Sequence, residues 1–270
     1  MTARAGAGAL GEAVARVRAA RAAVAFTGAG ISTPSGLPDF RSPQGLWATV
    51  DPTMVASRSA FERDPWRFYQ FYRERLDRLR HAAPNAAHRA LAALERAGRL
   101  RAVITQNVDG LHQAAGSQRV IELHGNLREA VCPRCGQRWP IAVVVAALAQ
   151  DRLPRCDRCA AVLKPNVVLF EDLVPADAWE AATALARTAD LMLVVGSSLQ
   201  VVPAASLPQE TLDAGGVLLI VNREPTPYDH RAAVVLHDDA ARVLPALAAA
   251  LGLGEDRSDA PTNSPVQPVE

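Results

Sequence analysis

AVAFTGAGIS, at positions 23–32, joins a short apolar run to a glycine-rich turn. The run 23–27 is typical of a strand buried in a sheet. Gly28 and Gly30 allow a backbone to approach a pyrophosphate closely and to direct amide groups at it. Position 33 is Thr instead of a third glycine, and no acidic residue ends a strand at the usual interval, so an ordinary dehydrogenase is disfavoured. The stretch predicts a first strand with a ligand-binding turn at its carboxyl end.

Apolar runs of strand length recur along the chain, and in its second half they alternate with helical patterns. Asn85 is suited to cap a helix that ends at Gly98. Buried strands alternating with helices predict a parallel sheet covered on both faces, which is a doubly wound, Rossmann-like α/β fold. The further strands are predicted at 102–105, 120–123, 167–170, 191–195 and 217–221. Other helices are predicted at 10–20, 65–80, 176–188 and 204–214.

Two segments interrupt this alternation and are expected to form a smaller inserted domain. They are a helical segment at 45–98 and a cysteine-containing module at 130–164. Residues 253–270 are rich in Pro, Ser, Asp and Asn and are expected to form a disordered tail. The large domain is expected from 1–44, 99–129 and 165–252.

Composition excludes several classes of protein. A hydrophobic share of 49% with 21% charged residues is typical of a globular chain. The net charge of +1 gives no broad positive field, so nucleic acid is not an expected partner. No apolar run approaches the ~20 residues of a membrane helix, the longest lying at 141–149, and the N-terminus lacks a secretory signal. We expect a cytoplasmic protein that does not bind membranes; its oligomeric state is left open.

The four cysteines occur as two C-x-x-C pairs separated by 20 residues. In a reducing compartment such pairs indicate metal ligands instead of disulfides. Four thiolates leave no open position on a tetrahedral zinc ion, so the site is expected to be structural. A zinc ribbon that binds nucleic acid is the alternative interpretation of the spacing alone. The ligands are Cys132, Cys135, Cys156 and Cys159.

Polar residues gather where the predicted strands end. In an open parallel sheet these ends line one crevice, and ligands bind there. Beyond the first turn and the SGLPDFR that follows it at 35–41, the polar groups are TQNVDGLH at 105–112, HG at 124–125, GSS at 196–198 and NRE at 222–224.

Together these stretches resemble the sirtuins, the NAD-dependent protein lysine deacylases. The resemblance runs from about residue 22 to 251 and rests on GAGIS, SGLPDFRS, TQNVDGLH, the HG after IEL, the cysteine pairs and GSSLQV. It implies an enzyme that acts on acyl-lysine peptides or proteins and consumes NAD as co-substrate. The implied products are deacylated lysine, nicotinamide and O-acyl-ADP-ribose, and the implied metal is one structural Zn²⁺.

The resemblance also implies a role for individual residues. His124 would take a proton from a ribose hydroxyl, for which a histidine pKa near ~6.5 is suited, with Asn107 and Asp109 as its catalytic neighbours. His112 is the competitor, but a structural hydrogen bond is expected of it. Phe40 would cover the exit of nicotinamide. The residues implied to surround NAD are Gly28, Ala29, Gly30, Ile31, Asp39, Phe40, Arg41, Gln106, Asn107, Asp109, Gly196, Ser197, Ser198, Asn222 and Glu224.

The substrate peptide would add as a strand between the loops at 167–172 and 199–202. The family usually has Phe-Gly-Glu where this chain has Phe170, Glu171 and Asp172. Tyr72 and Arg75 fall where members that prefer succinyl or malonyl lysine carry Tyr-x-x-Arg, a pair that can bind a carboxylate. The residues implied to contact substrate are Tyr72, Arg75, Val167, Phe170 and Val201.

Four functions follow from this resemblance and from the cysteine pairs. Deacetylation is the first expectation. Desuccinylation or demalonylation through Tyr72 and Arg75 is the first alternative. Transfer of ADP-ribose to a protein on the same scaffold and a non-catalytic, zinc-dependent binding module are the others. The target proteins and the physiological acyl group are not predicted.

Overall fold

The computed structural model describes residues 2–40, 42, 45, 48 and 50–253. Arg41 and residues 254–270, nearly all of the expected tail, lie outside the described residues. The strands of the described chain are β1 (Ala23–Thr27), β2 (Val103–Thr105), β3 (Val120–Glu122), β4 (Gly125–Val131), β5 (Arg138–Pro140), β6 (Lys164–Val167), β7 (Leu191–Val195), β8 (Val217–Val221) and β9 (Val234–Leu236). Its α-helices are α1 (Thr2–Ala19), α2 (Pro52–Val55), α3 (Arg58–Arg63), α4 (Pro65–His81), α5 (Ala86–Arg96), α6 (Leu111–Ala114), α7 (Ile141–Ala149), α8 (Ala176–Thr188), α9 (Leu207–Asp213) and α10 (Ala240–Ala250). Short 3-10 helices lie at Ala29–Ser35, Ala204–Ser206 and Asp229–Arg231.

Six of the described strands form one parallel sheet in the order β3-β2-β1-β7-β8-β9, which confirms the predicted doubly wound fold. From β1 the chain moves outward through β2 and β3, and it later crosses to β7 on the other side of β1. The strand order therefore reverses between β1 and β7. Such a switch point is where ligands bind in open α/β sheets. Gly28 follows β1 directly and lies at this point.

Helices cover both faces of the large sheet. Successive side chains of a strand point to opposite faces, so each strand contributes to two separate cores. Ala23 and Ala25 of β1 belong to the core cluster that α1, α5 and α10 cover. Val24 and Phe26 belong to the cluster on the other face, which α8 and α9 cover. The predicted near-continuous apolar strands are thus explained by helices on both sides.

Helix α5 begins as Asn85 predicts. The Asn85 side chain accepts a hydrogen bond from the Ala87 amide at 2.9 Å, and the Asn85 amide donates to Nδ1 of His88 at 3.3 Å. His88 is the third residue of the helix, and it exchanges hydrogen bonds with Asn85 through its own backbone amide and its side chain, which is a capping box. The Asn85 side-chain amide also donates to the carbonyl of Ile31 at 2.8 Å, which ties the helix to the loop after β1.

The prediction that a strand at 167–170 belongs to the parallel sheet was wrong. The observed strand β6 ends at Val167 and pairs antiparallel with β4, which also pairs with β5. Phe170 instead forms a single bridge with Ser57. An apolar run of four residues carries no information about its partner strand, and every second residue of β6 is only half-buried, as in an antiparallel sheet with one solvated face.

The small sheet packs with α3, α4 and α7 around a core of its own. Its strands β4 and β6 lie at the predicted domain boundaries, and the division into domains at those boundaries stays a prediction. Strands β4, β5 and β9 and helices α7 and α10 had no sequence prediction. Helix α7 is the apolar run noted at 141–149, and it has nine residues. None of the helices in the described part of the chain combines the length and the apolar character that crossing a membrane needs.

Candidate active site

A cleft of about 510 Å³ opens at the carboxyl end of the large sheet, against β6 and α4. A cleft of this volume is large enough for a small organic ligand, such as part of a dinucleotide. Ile31 is fully buried and does not line the cleft, and Arg41 lies outside the described residues. The remaining residues predicted for catalysis, NAD and substrate all line it: Gly28, Ala29, Gly30, Asp39, Phe40, Tyr72, Arg75, Gln106, Asn107, Asp109, His124, Val167, Phe170, Gly196, Ser197, Ser198, Val201, Asn222 and Glu224.

The glycine loops after β1 and β7 interlock at the floor of the cleft. The Gly30 amide donates to the carbonyl of Gly196 at 2.8 Å. A Cβ on Gly28 would lie 2.8 Å from that carbonyl oxygen, and one on Gly30 would lie 2.9 Å from the Gly196 Cα. Gly196 itself has φ +59°, which favours glycine. Two loops without side chains, at the switch point of a parallel sheet, fit the pyrophosphate of a dinucleotide.

His124 lies at the end of the loop after β3, and one of its ring nitrogens is already engaged. Nδ1 lies 3.0 Å from the backbone carbonyl oxygen of Gln106. Because a carbonyl can only accept, Nδ1 carries the hydrogen and Nε2 keeps its lone pair. Burial lowers the pKa of His124, and the hydrogen bond to Gln106 opposes part of that shift. The imidazole is therefore neutral at physiological pH and oriented to act as a base through Nε2.

A buried hydrogen-bond network beside His124 holds Asn107 and Asp109. The Ser32 hydroxyl donates to Oδ2 of Asp109 at 2.7 Å, and the Leu111 amide donates to Oδ1 at 2.9 Å. The Asn107 side-chain amide donates to the Gly28 carbonyl at 3.2 Å and to the Ser32 hydroxyl oxygen at 3.1 Å. Burial raises the pKa of Asp109, while these hydrogen bonds oppose the rise. The polar ends of both residues are thus fixed before a ligand arrives.

Ser32 and His88 were missed as parts of this network by sequence reasoning. Ser32 joins Asn107 to Asp109, and His88 Nε2 lies 3.4 Å from the Ser32 hydroxyl. The signal in the sequence was the capping box of α5, which directs His88 inward, but spacing alone does not reveal that Ser32 lies beside it.

His112 has the structural position expected of it. It is buried on α6, and its Nε2 lies 2.9 Å from the Thr27 hydroxyl. It is not among the residues that line the cleft, in contrast to His124. His112 therefore packs behind the network, and the structure places a single histidine of the described chain, His124, on the cleft wall.

The outer end of the nucleotide side is formed by residues after β7 and β8. Gln106 donates from its side-chain amide to the Ser197 hydroxyl at 2.9 Å. The Asn222 side-chain amide donates to the Glu224 carbonyl at 2.7 Å, which fixes the turn after β8. Together with Ser198, these residues present hydroxyl, amide and carboxylate groups of the kind that bind ribose.

The end of the cleft where the resemblance predicts the substrate is lined by aromatic and basic side chains. Tyr72 is buried and stacks on Phe68 at 4.3 Å between ring centres. The Arg75 guanidinium lies 4.9 Å from the ring centre of Phe40 and 5.5 Å from that of Tyr72. Of the described carboxylates, none forms an ion pair with Arg75, and burial lowers its pKa without removing its charge near neutral pH. This arrangement presents a cation to the cleft.

The four cysteines form the predicted cluster, and their geometry fits zinc. Their sulfur atoms lie within 4.8 Å of one another. Sγ of Cys132 is 3.3 Å from that of Cys159, and Sγ of Cys135 is 3.7 Å from that of Cys156. Tetrahedral zinc with Zn–S bonds of ~2.3 Å sets its sulfur atoms about 3.8 Å apart. Cys132 and Cys156 also belong to the core of the small sheet, so the cluster is part of that core.

The chain is similar to known proteins in both sequence and fold. The model of the Sir2 family matches residues 28–203. The chain is 50% identical over 225 residues to the NAD-dependent protein deacetylase of Caldivirga maquilingensis, covering 83% of this chain and 86% of that protein. It is 46% identical over 233 residues to the NAD-dependent protein deacylase of Aeropyrum pernix, covering 86% and 94%. A solved structure of a Sir2 variant with deacetylated p53 peptide and 3′-O-acetyl ADP-ribose has a TM-score of 0.87 and 41% identity, and the match covers 90% of this chain and 98% of that one.

Proposed function

The chain belongs to the Sir2 family, and on that premise we propose that it is an NAD-dependent protein lysine deacylase with deacetylation as its first activity. The observation that carries the proposal is the position of His124, whose Nδ1 is engaged by the Gln106 carbonyl. Its Nε2 is thereby left as a base in a cleft that also contains the glycine loops. The relative from Caldivirga is named a deacetylase, and the Sir2 structure holds a deacetylated peptide and an acetylated ADP-ribose.

NAD would be held along the cleft by the residues assigned to it. The glycine loops at 28–30 and 196–198 would accept the phosphates, Asn222 and Glu224 the adenosine side, and Asp109 the nicotinamide carboxamide. Ile31 also stays a prediction for the carboxamide; it is fully buried here, its amide donates to the Gly28 carbonyl and its carbonyl accepts from Asn85. When bound, NAD supplies the ADP-ribosyl group that accepts the acyl group, with release of nicotinamide. Arg41 stays a prediction for the phosphates, and Phe40 for covering the exit.

His124 would accept a proton from a ribose hydroxyl at Nε2. The Gln106 carbonyl stabilises the positive imidazole that this transfer creates, because it accepts a hydrogen bond from Nδ1. Asn107 would order the ribose while its side-chain amide remains fixed by Gly28 and Ser32. Val167 and Leu127 add apolar side chains to the wall of the same cleft, and polar contacts are stronger beside apolar walls than in bulk water.

The four cysteines would hold one structural zinc ion. All four ligands come from protein, so the ion has no position for water and contributes stability instead of chemistry. Thiols kept for a metal favour a reducing compartment, and the cytoplasm remains our prediction for the site of action. The partners are acyl-lysine peptides or proteins.

Mass spectrometry of a mixed panel of acyl-lysine peptides with NAD tests the proposal. We expect deacetylated peptide, nicotinamide and O-acetyl-ADP-ribose in equal amounts, and a loss of at least ~10³-fold in kcat/KM for His124→Tyr because the base is removed. His230→Tyr is the matched control, since His230 is exposed and outside the cleft, and it should retain wild-type activity. Persistent nicotinamide release by His124→Tyr would refute the role of His124.

The same assay separates the rival functions. ADP-ribosyl transfer to a protein would leave the acyl peptide intact and add ADP-ribose to a protein acceptor. A non-catalytic binding module would turn over neither NAD nor the peptide.

Acidic acyl groups are a second candidate, favoured by the Arg75 guanidinium that faces the cleft among three aromatic rings. A succinyl or malonyl carboxylate could pair with it in a partly dehydrated site. Arg75→Met should lower the succinyl-to-acetyl ratio of kcat/KM at least ~10-fold. The control is Arg78→Met, because Arg78 lines the same cleft but is exposed and bonded to Glu74. An unchanged ratio in Arg75→Met would exclude acidic-acyl preference.

A further inference from the structure

The segment 167–172 borders the substrate end of the cleft, and it is fastened to residues 56–59 at the start of α3. The Phe170 amide donates to the Ala56 carbonyl at 3.0 Å, and the Arg58 amide donates to the Phe170 carbonyl at 3.0 Å. These two bonds form the bridge between Phe170 and Ser57. The segment is therefore positioned by the start of α3 on one side and, on the other, by the His124 backbone carbonyl, which accepts from the Val168 amide at 2.9 Å.

Glu171 adds a side-chain connection directly after that bridge. Its Oε2 accepts from the Ser59 amide at 2.9 Å, and its Oε1 accepts from the Ser59 hydroxyl at 2.9 Å. The Ser59 amide lies in the first turn of α3, where amides have no partner within the helix. The Glu171 carboxylate therefore satisfies both donors of Ser59 at once.

The backbone at Glu171 is left-handed, with φ +74°. L side chains rarely adopt this conformation, whereas glycine does so readily. The family resemblance places glycine at this position. This chain has the left-handed backbone that glycine favours but carries a glutamate there. The two hydrogen bonds from Ser59 to the Glu171 side chain offset the conformational strain.

Asp172 forms a second connection on the other side of the segment. Its Oδ1 accepts from Arg58 Nε at 2.6 Å, and its Oδ2 accepts from Lys164 Nζ at 3.0 Å and from the Leu169 amide at 3.0 Å. Lys164 Nζ also donates to the Val167 carbonyl at 2.6 Å. Asp172 thus holds the segment both to β6, through Lys164, and to α3, through Arg58, while Glu171 holds it to α3 through Ser59.

We propose that Glu171 is a positioning residue, which tethers the segment 167–172 to Ser59 and so presets the surface that receives the acyl-lysine peptide. The inference rests on the proposed deacylase function and names a residue that this function does not require. Phe170 and Glu171 line the cleft, whereas Ser59 is not among the described residues that line it. The segment meets the active site at its other end, where Val168 is bonded to the His124 backbone carbonyl, three residues before Glu171. We therefore expect the tether to act on peptide binding, with NAD binding and the proton transfer at the His124 side chain unchanged.

Steady-state deacetylation, with peptide and NAD varied separately, tests the tether. Glu171→Ala removes the carboxylate but keeps a Cβ on the same left-handed backbone. We expect the KM for peptide to rise roughly tenfold, while kcat and the KM for NAD stay within about twofold. Glu180→Ala, on the exposed side of α8, is the matched control and should change none of the three constants. A fall in kcat with an unchanged peptide KM would overturn the proposal.

Glu171→Gly separates the carboxylate from the backbone conformation. Glycine relieves the left-handed strain and removes the tether together. The peptide KM should rise at least as much as in Glu171→Ala, because the segment loses its connection and gains freedom. A peptide KM at or below the wild-type value would mean that the side chain positions nothing, and the proposal would be wrong.

Ser59→Ala tests the partner. It removes the hydroxyl donor but keeps the amide, so the peptide KM should rise about threefold alone and not further in the Glu171→Ala background. Independent effects of the two substitutions, which multiply in the double variant, would contradict a direct tether.

Hydrogen exchange of the free protein provides a readout that needs no turnover. In Glu171→Ala the amides of Leu169, Phe170 and Asp172 should exchange faster, and those of β1 and β7 should not change. Unchanged exchange in the segment would refute the tether even if activity falls. Absence of deacylation by the wild type on every acyl peptide would instead count against the proposed function, so the two failures are distinguishable.

Discussion

At the scale of single residues, His124 has a proton affinity set by two opposing contacts. Burial lowers its pKa below the ordinary 6.5, and the bond from Nδ1 to the Gln106 carbonyl opposes part of the shift. The neutral, active imidazole therefore persists as the pH falls through 6.5. We expect the acid limb of the kcat/KM profile for deacetylation to have its midpoint below pH 6.5. A midpoint at or above 6.5 would contradict this environment for the base.

The position of His124 and Asp109 on the cleft was predictable from sequence, because each follows a strand in a recognisable motif, while their roles stay predictions. Ser32 was not identified as a partner of Asp109, although it lies in the same quoted stretch as Gly28. Its role depends on contacts that the loop after β1 makes with α5 and with the turn at Asp109. These contacts join residues that are far apart in the sequence. Local pattern identifies which residues can do chemistry, and tertiary packing decides which of them are held together.

At the scale of elements, the two cysteine turns repeat one geometry with one difference. The Gly136 amide donates to the Cys132 carbonyl at 2.9 Å, and the Ala160 amide donates to the Cys156 carbonyl at 2.8 Å. Both residues are left-handed, with φ +72° at Gly136 and +60° at Ala160. A left-handed alanine costs about 1 kcal/mol relative to glycine. The second turn is therefore the more strained of the two.

Exchanging the residue types should shift stability in opposite directions. We expect Ala160→Gly to raise the unfolding free energy of the zinc-loaded protein by about 0.5–1 kcal/mol and Gly136→Ala to lower it by about 1 kcal/mol. A Cβ on Gly136 would meet no atom within 4 Å, so its effect is conformational. Denaturant unfolding measures both. Ala161→Gly is the control: Ala161 has no left-handed backbone, and its replacement should destabilise. Stabilisation by Ala161→Gly would contradict the explanation.

Strands and helices of the large sheet were largely predictable, because burial on both faces makes their sequences continuously apolar. Strand β1 and helix α8 were predicted with the observed bounds. Strand β6 was assigned to the wrong sheet because its partner β4 follows the His-Gly motif without an apolar run. Strand β9 was not predicted, although β2 and β3 have the same length of three residues and were.

At the scale of the whole molecule, we expect two buried histidines to make the stability of the fold depend on pH. The rings of His88 and His112 lie 4.9 Å apart between centres. Burial, with a smaller effect of Arg89, lowers the pKa of His88 to about 4. Burial, with a smaller effect of His88, lowers that of His112 to about 3. In the unfolded chain both histidines take up protons near pH 6.5. At any pH between 6.5 and the lowered folded-state pKa of each histidine, the unfolded state therefore binds more protons than the folded state.

The unfolding free energy should therefore fall as the pH falls from 6.5 towards 4, by up to about 1.4 kcal/mol per pH unit for each histidine. Urea unfolding at pH 7 and pH 5 measures the loss, and the pair accounts for at most roughly 4 kcal/mol of it. His112→Gln should remove about half of this pH dependence. His81→Gln, at an exposed histidine, should leave it unchanged. Equal slopes in wild type and His112→Gln would disprove the assignment.

Zinc removal tests how the small sheet depends on the cysteine cluster. Cys132 and Cys156 belong to the core of that sheet, whereas the two clusters that flank the large sheet contain no cysteine among their buried residues. A chelator should therefore remove hydrogen-exchange protection from β4–β6 and α7 first, while β1 and β7 stay protected. Because β6 leads directly into the segment 167–172, deacylation should be lost with that protection and return when zinc is added back.

Cys132→Ser should behave as the chelated protein does, and Ser206→Ala, at a hydroxyl bonded within its own turn, should not. Full activity with intact protection after verified metal loss would show that the cluster is not what stabilises this domain.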